Sequence, residues 1–227
     1  YDLIGNRREK LTDLTGDGEV DERIQSMFDE NDRLLNERKV LNGVTELTTY
    51  TYNVTEQTGK IVTNQQTGTR TQTSMTYNEQ GRLSSIVIET YENNVLVKTV
   101  TQEYEYDSSG IKVRQTETVD SDGDGIADES KTTSYLNDKQ NHTGYSQVLE
   151  ETVEVEGQAV EVTTYTIGHD VLAQFSAAVG FLALLTDGHG STRAVADALA
   201  NIVQQYNYDA YGNAHGFDAS QALTDLL

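Results

Sequence analysis

Segments rich in strand-forming residues recur along this chain and are separated by short polar turns, which is the pattern of strand–turn–strand units. Segments 46–54 and 71–77 are rich in threonine and aromatic residues, which favour strands. The chain contains no proline, and this absence suits long strands with unbroken hydrogen-bond ladders. The pattern therefore predicts an all-β protein.

Hairpins are indicated where two such segments flank a short polar turn. Residues 83–91 and 95–100 flank Glu92-Asn93-Asn94, and asparagine tolerates the positive φ of a tight turn. Residues 152–166 predict a second hairpin, which turns at Glu156-Gly157-Gln158.

The alanine-rich stretch from Ser191 to Gln205 allows two interpretations. It could form a helix, or two strands around a turn at Asp197. We favour the strands, because residues 201–208 roughly alternate between apolar and polar.

A short phrase returns along the chain: an aromatic residue, a polar pair, a small turn residue and a basic or amide residue. From Tyr1 to Tyr135 its starts are 27, 24, 25, 29 and 29 residues apart, and self-similarity at a period of about 20–50 residues indicates a repeat architecture. We expect the aromatic residue to end a strand and face inward, and the glycine or asparagine to form the turn. The copies are 1–7, 28–34, 77–83, 106–111 and 208–213, with weaker copies that begin at Tyr52 and Tyr135.

These phrases resemble YD repeats, the unit of the Rhs (rearrangement hotspot) family, over residues 1–162. Residues 165–174 (YTIGHDVLAQ) resemble the opening of the Rhs-associated core region. Residues 185–193 (LTDGHGSTR), followed by 206–213 (YNYDAYGN), resemble its central signature. We therefore divide the chain into a YD-repeat β region (1–162), a core-like β region (163–217) and a tail (218–227).

The resemblance implies a fold and a role. Family members wind a long β-sheet into a hollow shell, so the hairpins are expected to form one continuous curled sheet, as a segment of an Rhs-type shell. In toxin members that shell encloses a C-terminal effector. The self-cleaving aspartyl motif of those members is not among these residues, so no catalytic residue is transferred. The chain is expected to be an internal piece whose partner is the remainder of a longer parent chain.

Charge limits the partners. The chain has 37 acidic and 16 basic residues, for a net charge of −21, which repels nucleic acid and anionic membranes. The longest apolar run, 177–185, is too short to span a bilayer. Neither nucleic-acid binding nor membrane insertion is therefore expected. The chain has no cysteine, which excludes disulfides and thiolate metal sites.

Residues 120–129 (DSDGDGIADE) match a calcium-binding loop. Such loops carry oxygen ligands at positions 1, 3, 5, 7 and 9 and a glycine at position 6. The sequence resembles the short loops of thrombospondin-like and dockerin-like repeats. The expected ligands are the carboxylates of Asp120, Asp122 and Asp124, the backbone carbonyl of Ile126, and Asp128 with Glu129.

Residues 13–22 (DLTGDGEVDE) form a second candidate loop. Thr15 occupies position 3, so this loop has one carboxylate fewer and is expected to bind calcium more weakly. In both loops the crowded carboxylates repel one another, and a divalent ion would remove that cost. The expected ligands are Asp13, Thr15, Asp17, Glu19, Asp21 and Glu22.

No enzymatic site is expected. Asp187, His189 and Ser191 lie in one glycine-rich segment, but no nucleophile elbow surrounds the serine. The four histidines have no second ligand at metal-binding spacing.

The sequence thus predicts a non-enzymatic, calcium-stabilised structural segment of an extracellular or cell-surface bacterial protein. The alternative is a self-assembling extracellular fibre or adhesin of stacked β units that associates through its edge strands.

Overall fold

The structure, a computed structural model, describes residues 1–141, 143–208 and 214–215, the last two by their backbone alone. Every regular element in these residues is a strand, and no helix there is long and apolar enough to cross a membrane. The strands are β1 Glu9–Thr12, β2 Glu22–Phe28, β3 Leu34–Leu41, β4 Val44–Tyr52, β5 Gln57–Asn64, β6 Arg70–Tyr77, β7 Leu83–Glu92, β8 Val95–Tyr106, β9 Lys112–Asp120, β10 Glu129–Asp138, β11 Gln147–Val155, β12 Glu161–Ile167, β13 Val171–Ser176, β14 Gly180–Thr186, β15 Thr192–Asp197, β16 Ile202–Gln205, β17 Asn207–Tyr208 and β18 Ala214–His215.

Strands β1 to β16 lie in one sheet in the order of the sequence, and β17 pairs with β18. Neighbouring strands run antiparallel. The prediction of an all-β chain whose hairpins form one continuous sheet is confirmed.

The chain divides into two compact units. The first contains Tyr1–Glu105 and Arg114–Thr132, and the second contains Tyr106–Val113 and Thr133–Leu227. The boundary that we drew after residue 162 rests on the type of repeat and stays a prediction. The predicted tail, 218–227, lies outside the described residues.

The first unit places two kinds of connection at opposite ends of its strands, because a meander reverses direction after every strand. Short turns of the repeated phrase follow β2, β4 and β6 at one end, which we call the turn end. The connections that follow β1, β3, β5, β7 and β9 are not copies of the repeated phrase, and they lie at the other end, which we call the loop end. Both candidate calcium loops belong to the loop end.

The predicted hairpins are present. β7 and β8 turn at Asn93 and Asn94, whose φ angles are 51° and 63°. β11 and β12 turn where the N–H of Gln158 donates to the carbonyl of Val155 at 3.1 Å.

The stretch 191–205 forms two strands, β15 and β16, so the helical alternative is wrong. Asp197 explains why. Its Oδ1 accepts the N–H groups of Leu199 and Asn201, both at 2.9 Å. A side-chain acceptor of this kind offers the backbone an alternative to helical hydrogen bonds.

The buried core is small. Among the described residues, the buried hydrophobic side chains are Ala173, Leu182, Val195 and Ala196, each 4–6% exposed, and they all lie in the second unit. No described side chain is less than 2% exposed. Strand residues are mostly half-buried, so much of the sheet surface in each unit remains open.

Candidate metal centre

The stronger candidate loop connects β9 to β10 at the loop end of the first unit, and Asp120 organises it. Oδ1 of Asp120 accepts the N–H of Asp122 at 3.2 Å and of Gly123 at 2.6 Å. Oδ2 accepts the N–H of Gly125 at 2.9 Å. A carboxylate has about four lone-pair sites, so these bonds leave Asp120 capacity for one further ligand.

Three carboxylates converge in this loop. Ligand oxygens of Asp120, Asp122 and Asp124 lie within 4.8 Å of one another. Asp120 is buried at 7% exposure, and the other two are exposed. A set of oxygen donors is what a hard cation such as calcium prefers, so these residues fit that ion.

The loop keeps Asp120 ionised. Burial by itself raises the pKa of this carboxyl group, but the N–H groups of Gly125, Gly123 and Asp122 stabilise the charged form more strongly. The net pKa lies below the ordinary value. Since a metal ligand must be deprotonated, the loop prepares Asp120 for a cation.

The other predicted ligands occupy different places. Oδ2 of Asp128 accepts the N–H of Ser121 at 2.7 Å, which closes the loop at its base. The N–H of Ile126 donates to Oδ1 of Asp124 at 2.7 Å. Glu129 begins β10 and is exposed.

The loop between β1 and β2 repeats this hydrogen-bond pattern. Oδ1 of Asp13 accepts the N–H of Gly16 at 2.6 Å, and Oδ2 accepts that of Gly18 at 2.8 Å. The N–H of Glu19 donates to Asp17 at 2.8 Å, as Ile126 does to Asp124. Asp21 accepts the N–H of Leu14 at 2.7 Å, matching Asp128 in the other loop. The two sequences thus fold into the same local structure.

The two loops differ at position 3. Thr15 donates its hydroxyl to Oδ1 of Asp13 at 3.4 Å, whereas Asp122 accepts the N–H of Asp124 at 3.1 Å. Asp13 is exposed, unlike Asp120. The N–H groups of Gly18 and Gly16 nevertheless hold the pKa of Asp13 below its ordinary value.

Glu22, a predicted ligand of this loop, lies at the start of β2 and faces two lysines. Its carboxylate oxygens lie 3.4 Å from Nζ of Lys10 and 3.1 Å from Nζ of Lys39. These ion pairs give the side chain a structural role outside the loop, and they lower its pKa.

Contact with the rest of the sheet also distinguishes the loops. The φ of Gly123 is 78° and that of Gly16 is 77°. A Cβ atom added to Gly123 would lie 2.4 Å from the carbonyl oxygen of Leu96, whereas one added to Gly16 would meet nothing within 4 Å. The β9–β10 loop therefore packs directly on the backbone of β8.

The repeated phrase folds into one turn at each copy where it is well formed. The aspartate or asparagine accepts N–H groups two and four residues ahead, as Asp29 does from Asn31 and Arg33, both at 2.9 Å. The residue three positions ahead has positive φ: it is Asp32 (62°), Gly81 (73°) or Gly110 (85°). Phe28, Tyr52, Tyr77 and Tyr106 end their strands and are half-buried, as predicted.

The weak copy at Tyr135 does not form this turn. Tyr135 lies inside β10, which continues to Asp138. Among the described residues after it, the next positive φ is at Gly144 (75°). The expectation that Tyr135 ends a strand is therefore wrong. The turn position, three residues after Leu136, is occupied by Lys139, which does not adopt a positive φ.

Neighbouring turns of the first unit are linked by a basic side chain. The guanidinium of Arg33 lies 5.0 Å from the ring centre of Tyr52 and donates to the carbonyl of Asn53 at 3.0 Å. The hydroxyl of Tyr52 donates back to the carbonyl of Leu34 at 2.8 Å. Arg8 lies 5.9 Å from the ring of Phe28, one repeat earlier.

The second unit contains the same kind of contact between a basic side chain and an aromatic ring. Lys112 lies 4.8 Å from the ring of Tyr135, and Arg193 lies 5.3 Å from that of Tyr208. Each link joins a strand start to an aromatic residue of the following phrase. The sequence analysis did not predict these links, although the basic residue of the phrase was the available signal.

Asp187, His189 and Ser191 form another copy of the turn. Oδ1 of Asp187 accepts the N–H of His189 at 2.9 Å and of Ser191 at 3.1 Å, and Oδ2 accepts Nε–H of Arg193 at 2.7 Å. The carboxylate thus orders the backbone and the arginine. The spacing Asp-x-x-Gly, with Gly190 at a φ of 83°, could have identified this turn from the sequence.

No family model matches this chain, and no curated protein matches it. Similar solved structures include a porin-like protein from Bacteroides vulgatus, with a TM-score of 0.40 and 9% identity over 70% of this chain and 90% of that chain. The crystal structures of TcdB2-TccC3-Cdc42 and TcdB2-TccC3-TEV have TM-scores of 0.24 and 0.26, each at 13% identity, over 88% and 94% of this chain. This chain spans 14% and 15% of the length of those two chains. These likenesses are too weak to assign the chain to a family.

Proposed function

We propose that this chain is a non-enzymatic structural segment of an extracellular bacterial YD-repeat protein of the Rhs type. In this role it forms part of a calcium-stabilised β scaffold or shell wall. In a toxin member such a wall would enclose a C-terminal effector.

The repetition of one turn carries this proposal. The same side-chain acceptor, the same positive φ and the same link to the next aromatic residue recur along the first unit. Each of these links joins one repeat to its neighbour, so the linked repeats support one another's packing. This arrangement suits a wall that is built by adding units.

The extent of exposed surface supports the same role. Large hydrophobic side chains are exposed in each of the two units. The large exposed hydrophobic side chains include Leu172 (51%) and Phe175 (52%). A sheet that leaves such residues open suits a segment whose faces are covered within a larger assembly.

Calcium would act at the loop end of the first unit. Asp120, Asp122 and Asp124 would hold the stronger ion, and Asp13 and Asp17 the weaker one. The ion would neutralise the clustered carboxylates and fix each loop between its two strands. An ion that binds only the folded chain, at a free concentration 100 times its Kd, stabilises the fold by about 2.7 kcal/mol.

Thermal unfolding in calcium and in chelator tests the calcium role. We expect the parent chain to melt at a higher temperature in calcium. A variant with Asp122→Asn and Asp124→Asn should lose most of this difference and keep only the smaller calcium response of the β1–β2 loop. Equal melting of the parent in both buffers would refute the proposal.

Matched variants separate ion binding from general charge. Glu79→Gln and Glu92→Gln together remove the same two charges at exposed positions outside the loops, and this control should keep the calcium response. Thr15→Asp adds the missing carboxylate to the β1–β2 loop, and we expect it to increase the calcium-dependent shift.

A self-assembling fibre is the second candidate, and the edge of β1 favours it. The N–H of Ser26 donates to the carbonyl of Arg8 at 2.9 Å. Because bonded residues alternate in an antiparallel pair, Glu9 and Leu11 direct their backbone groups away from β2. Such an edge can accept another strand. Electron microscopy in calcium and in chelator distinguishes the candidates: regular filaments favour the fibre, and discrete particles in both buffers favour the wall segment.

A further inference from the structure

One face of the first strands carries a groove of about 550 Å³. The register of β1, β2 and β3 places Leu11, Arg23 and Val40 in one row across that face. Val20 and Arg38 complete the walls. We call these five residues the Arg38 groove. Leu11 is 53% exposed and Val20 is 55% exposed, so apolar surface is open to a ligand.

The two arginines of the groove differ in their partners. Arg23 donates its Nε–H to the carboxylate of Glu9 at 2.7 Å. Arg38 has no ion pair or side-chain hydrogen bond within the part of the chain that the structure describes. Its neighbours in the same row are the uncharged Gln25 and Leu47. Glu9 lies beyond Gln25 in this row, and its carboxylate is paired with Arg23. Arg38 is thus an uncompensated positive charge on a chain whose net charge is −21.

An acidic group also borders the groove. Asp21 lies at the end beside Val20, and its Oδ2 accepts the N–H groups of Leu14 and Thr15 at 2.7 and 3.1 Å. The carboxylate is therefore engaged in the β1–β2 loop. A ligand carboxylate would be attracted to the Arg38 end of the groove and repelled at the Asp21 end, so the groove would bind its ligand in one orientation.

We infer that the Arg38 groove binds an extended peptide segment that carries a glutamate or aspartate and aliphatic residues at every second position, so that all of these side chains face the groove. The peptide carboxylate pairs with the guanidinium of Arg38, which can form two parallel hydrogen bonds with it. The aliphatic side chains cover Leu11, Val20 and Val40 and remove apolar surface from water. This inference concerns a partner surface and does not depend on calcium binding or on the scaffold role.

Fluorescence anisotropy with the full chain tests the inference. The probe is the labelled peptide Leu-Ser-Glu-Ser-Leu, blocked at both ends, which places its glutamate and leucines on one face when extended; its matched control is Leu-Ser-Gln-Ser-Leu. We expect saturable binding of the glutamate peptide, and at least about 10-fold weaker binding of the glutamine peptide, because a neutral amide cannot form the charge-assisted hydrogen bonds with Arg38. Equal binding of the two peptides, or no saturable binding of either, would overturn the inference.

Two protein variants locate the site. Arg38→Gln should weaken binding of the glutamate peptide by at least about 10-fold. Lys98→Gln removes the same charge from an exposed position on β8 and should leave binding within about twofold. Unchanged thermal unfolding of both variants shows that they fold. If Arg38→Gln binds the peptide like the parent, the groove is not the site.

Discussion

Replacing Gly123 by alanine, with Gly16→Ala as its control, tests how the β9–β10 loop packs on the sheet. The two glycines occupy equivalent positions in loops with the same hydrogen bonds, and their φ angles are 78° and 77°. An alanine at either site therefore meets the same backbone strain, about 1–2 kcal/mol for an L-residue in the left-handed region.

The two variants differ in what the added Cβ atom would contact. The new Cβ at position 123 would lie 2.4 Å from the carbonyl oxygen of Leu96 and 2.8 Å from its carbonyl carbon. Both atoms belong to the backbone of β8, so relief requires the loop or the strand to move. Overpacking of this kind costs about 1–3 kcal/mol. We therefore expect Gly16→Ala to cost about 1–2 kcal/mol and Gly123→Ala about 2–5 kcal/mol.

Urea unfolding followed by far-ultraviolet circular dichroism measures both free energies. The measurement is made in chelator, so that loss of ion binding does not contribute. Gly123→Ala should unfold at the lower urea concentration. If the two variants lose the same free energy, the close contact between the loop and Leu96 does not exist in solution.

Three further predictions concern the turns. Ala200 has a φ of 64° in the turn that follows Asp197, so Ala200→Gly should raise the free energy of unfolding by about 1 kcal/mol, and a lower value in urea unfolding would contradict this. Arg33→Gln should cost about 1–2 kcal/mol, because it removes the stacking on Tyr52 and the hydrogen bond to the carbonyl of Asn53 in the next turn; Arg7→Gln, at an exposed position, is the control and should cost little. The hydrogen bond from Lys139 and the N–H of Ile111 lower the pKa of Asp107 from 3.8 to about 2. A lowered pKa stabilises the fold above the ordinary value, so this contribution should be lost as the pH falls from about 4 to about 2. Asp107→Asn should flatten the acid limb of a stability–pH profile, and an unchanged limb would show that Asp107 does not contribute.

The strands and turns were predictable because their signals are local. Threonine and tyrosine alternate at the end of β4, and β6 is rich in threonine. The pair Asn93-Asn94 marks the hairpin turn, because asparagine tolerates a positive φ. The two strands around Asp197 were also predictable, although alanine favours a helix. The aspartate decided the outcome, since its side chain takes the N–H groups that a helix would use.

The positive φ of Ala200 was not predictable from the neighbouring sequence. A positive φ is common for glycine and asparagine, so an alanine three residues after an aspartate gives no sign of a turn. The hydrogen bonds of Asp197 impose the conformation on it. The prediction that Tyr135 ends a strand was wrong for the opposite reason. Its sequence resembles the repeated phrase, but Lys139, at the turn position, does not adopt a positive φ.

The part of the candidate metal loops that was predictable depends on the spacing of aspartates and glycines within each loop. The pattern of aspartates and glycines indicated the convergence of Asp120, Asp122 and Asp124, but it did not indicate the N–H donors that surround Asp120. It did not predict that Glu22 faces Lys10 and Lys39, because those lysines come close only through the register of β1, β2 and β3. The contact between Gly123 and Leu96 likewise joins strands that are distant in sequence. Contacts of this kind depend on how the strands pair in the sheet, so the loop sequence alone does not predict them.

Calorimetric titration of the chain with calcium tests the central claim most directly. We expect two ions per chain, with tighter binding at the loop of Asp120, Asp122 and Asp124 than at the loop that contains Thr15. Asp122→Asn with Asp124→Asn should abolish the tighter event and leave the weaker one. A titration without saturable binding, or one that these substitutions leave unchanged, would contradict the claim that these loops are calcium sites.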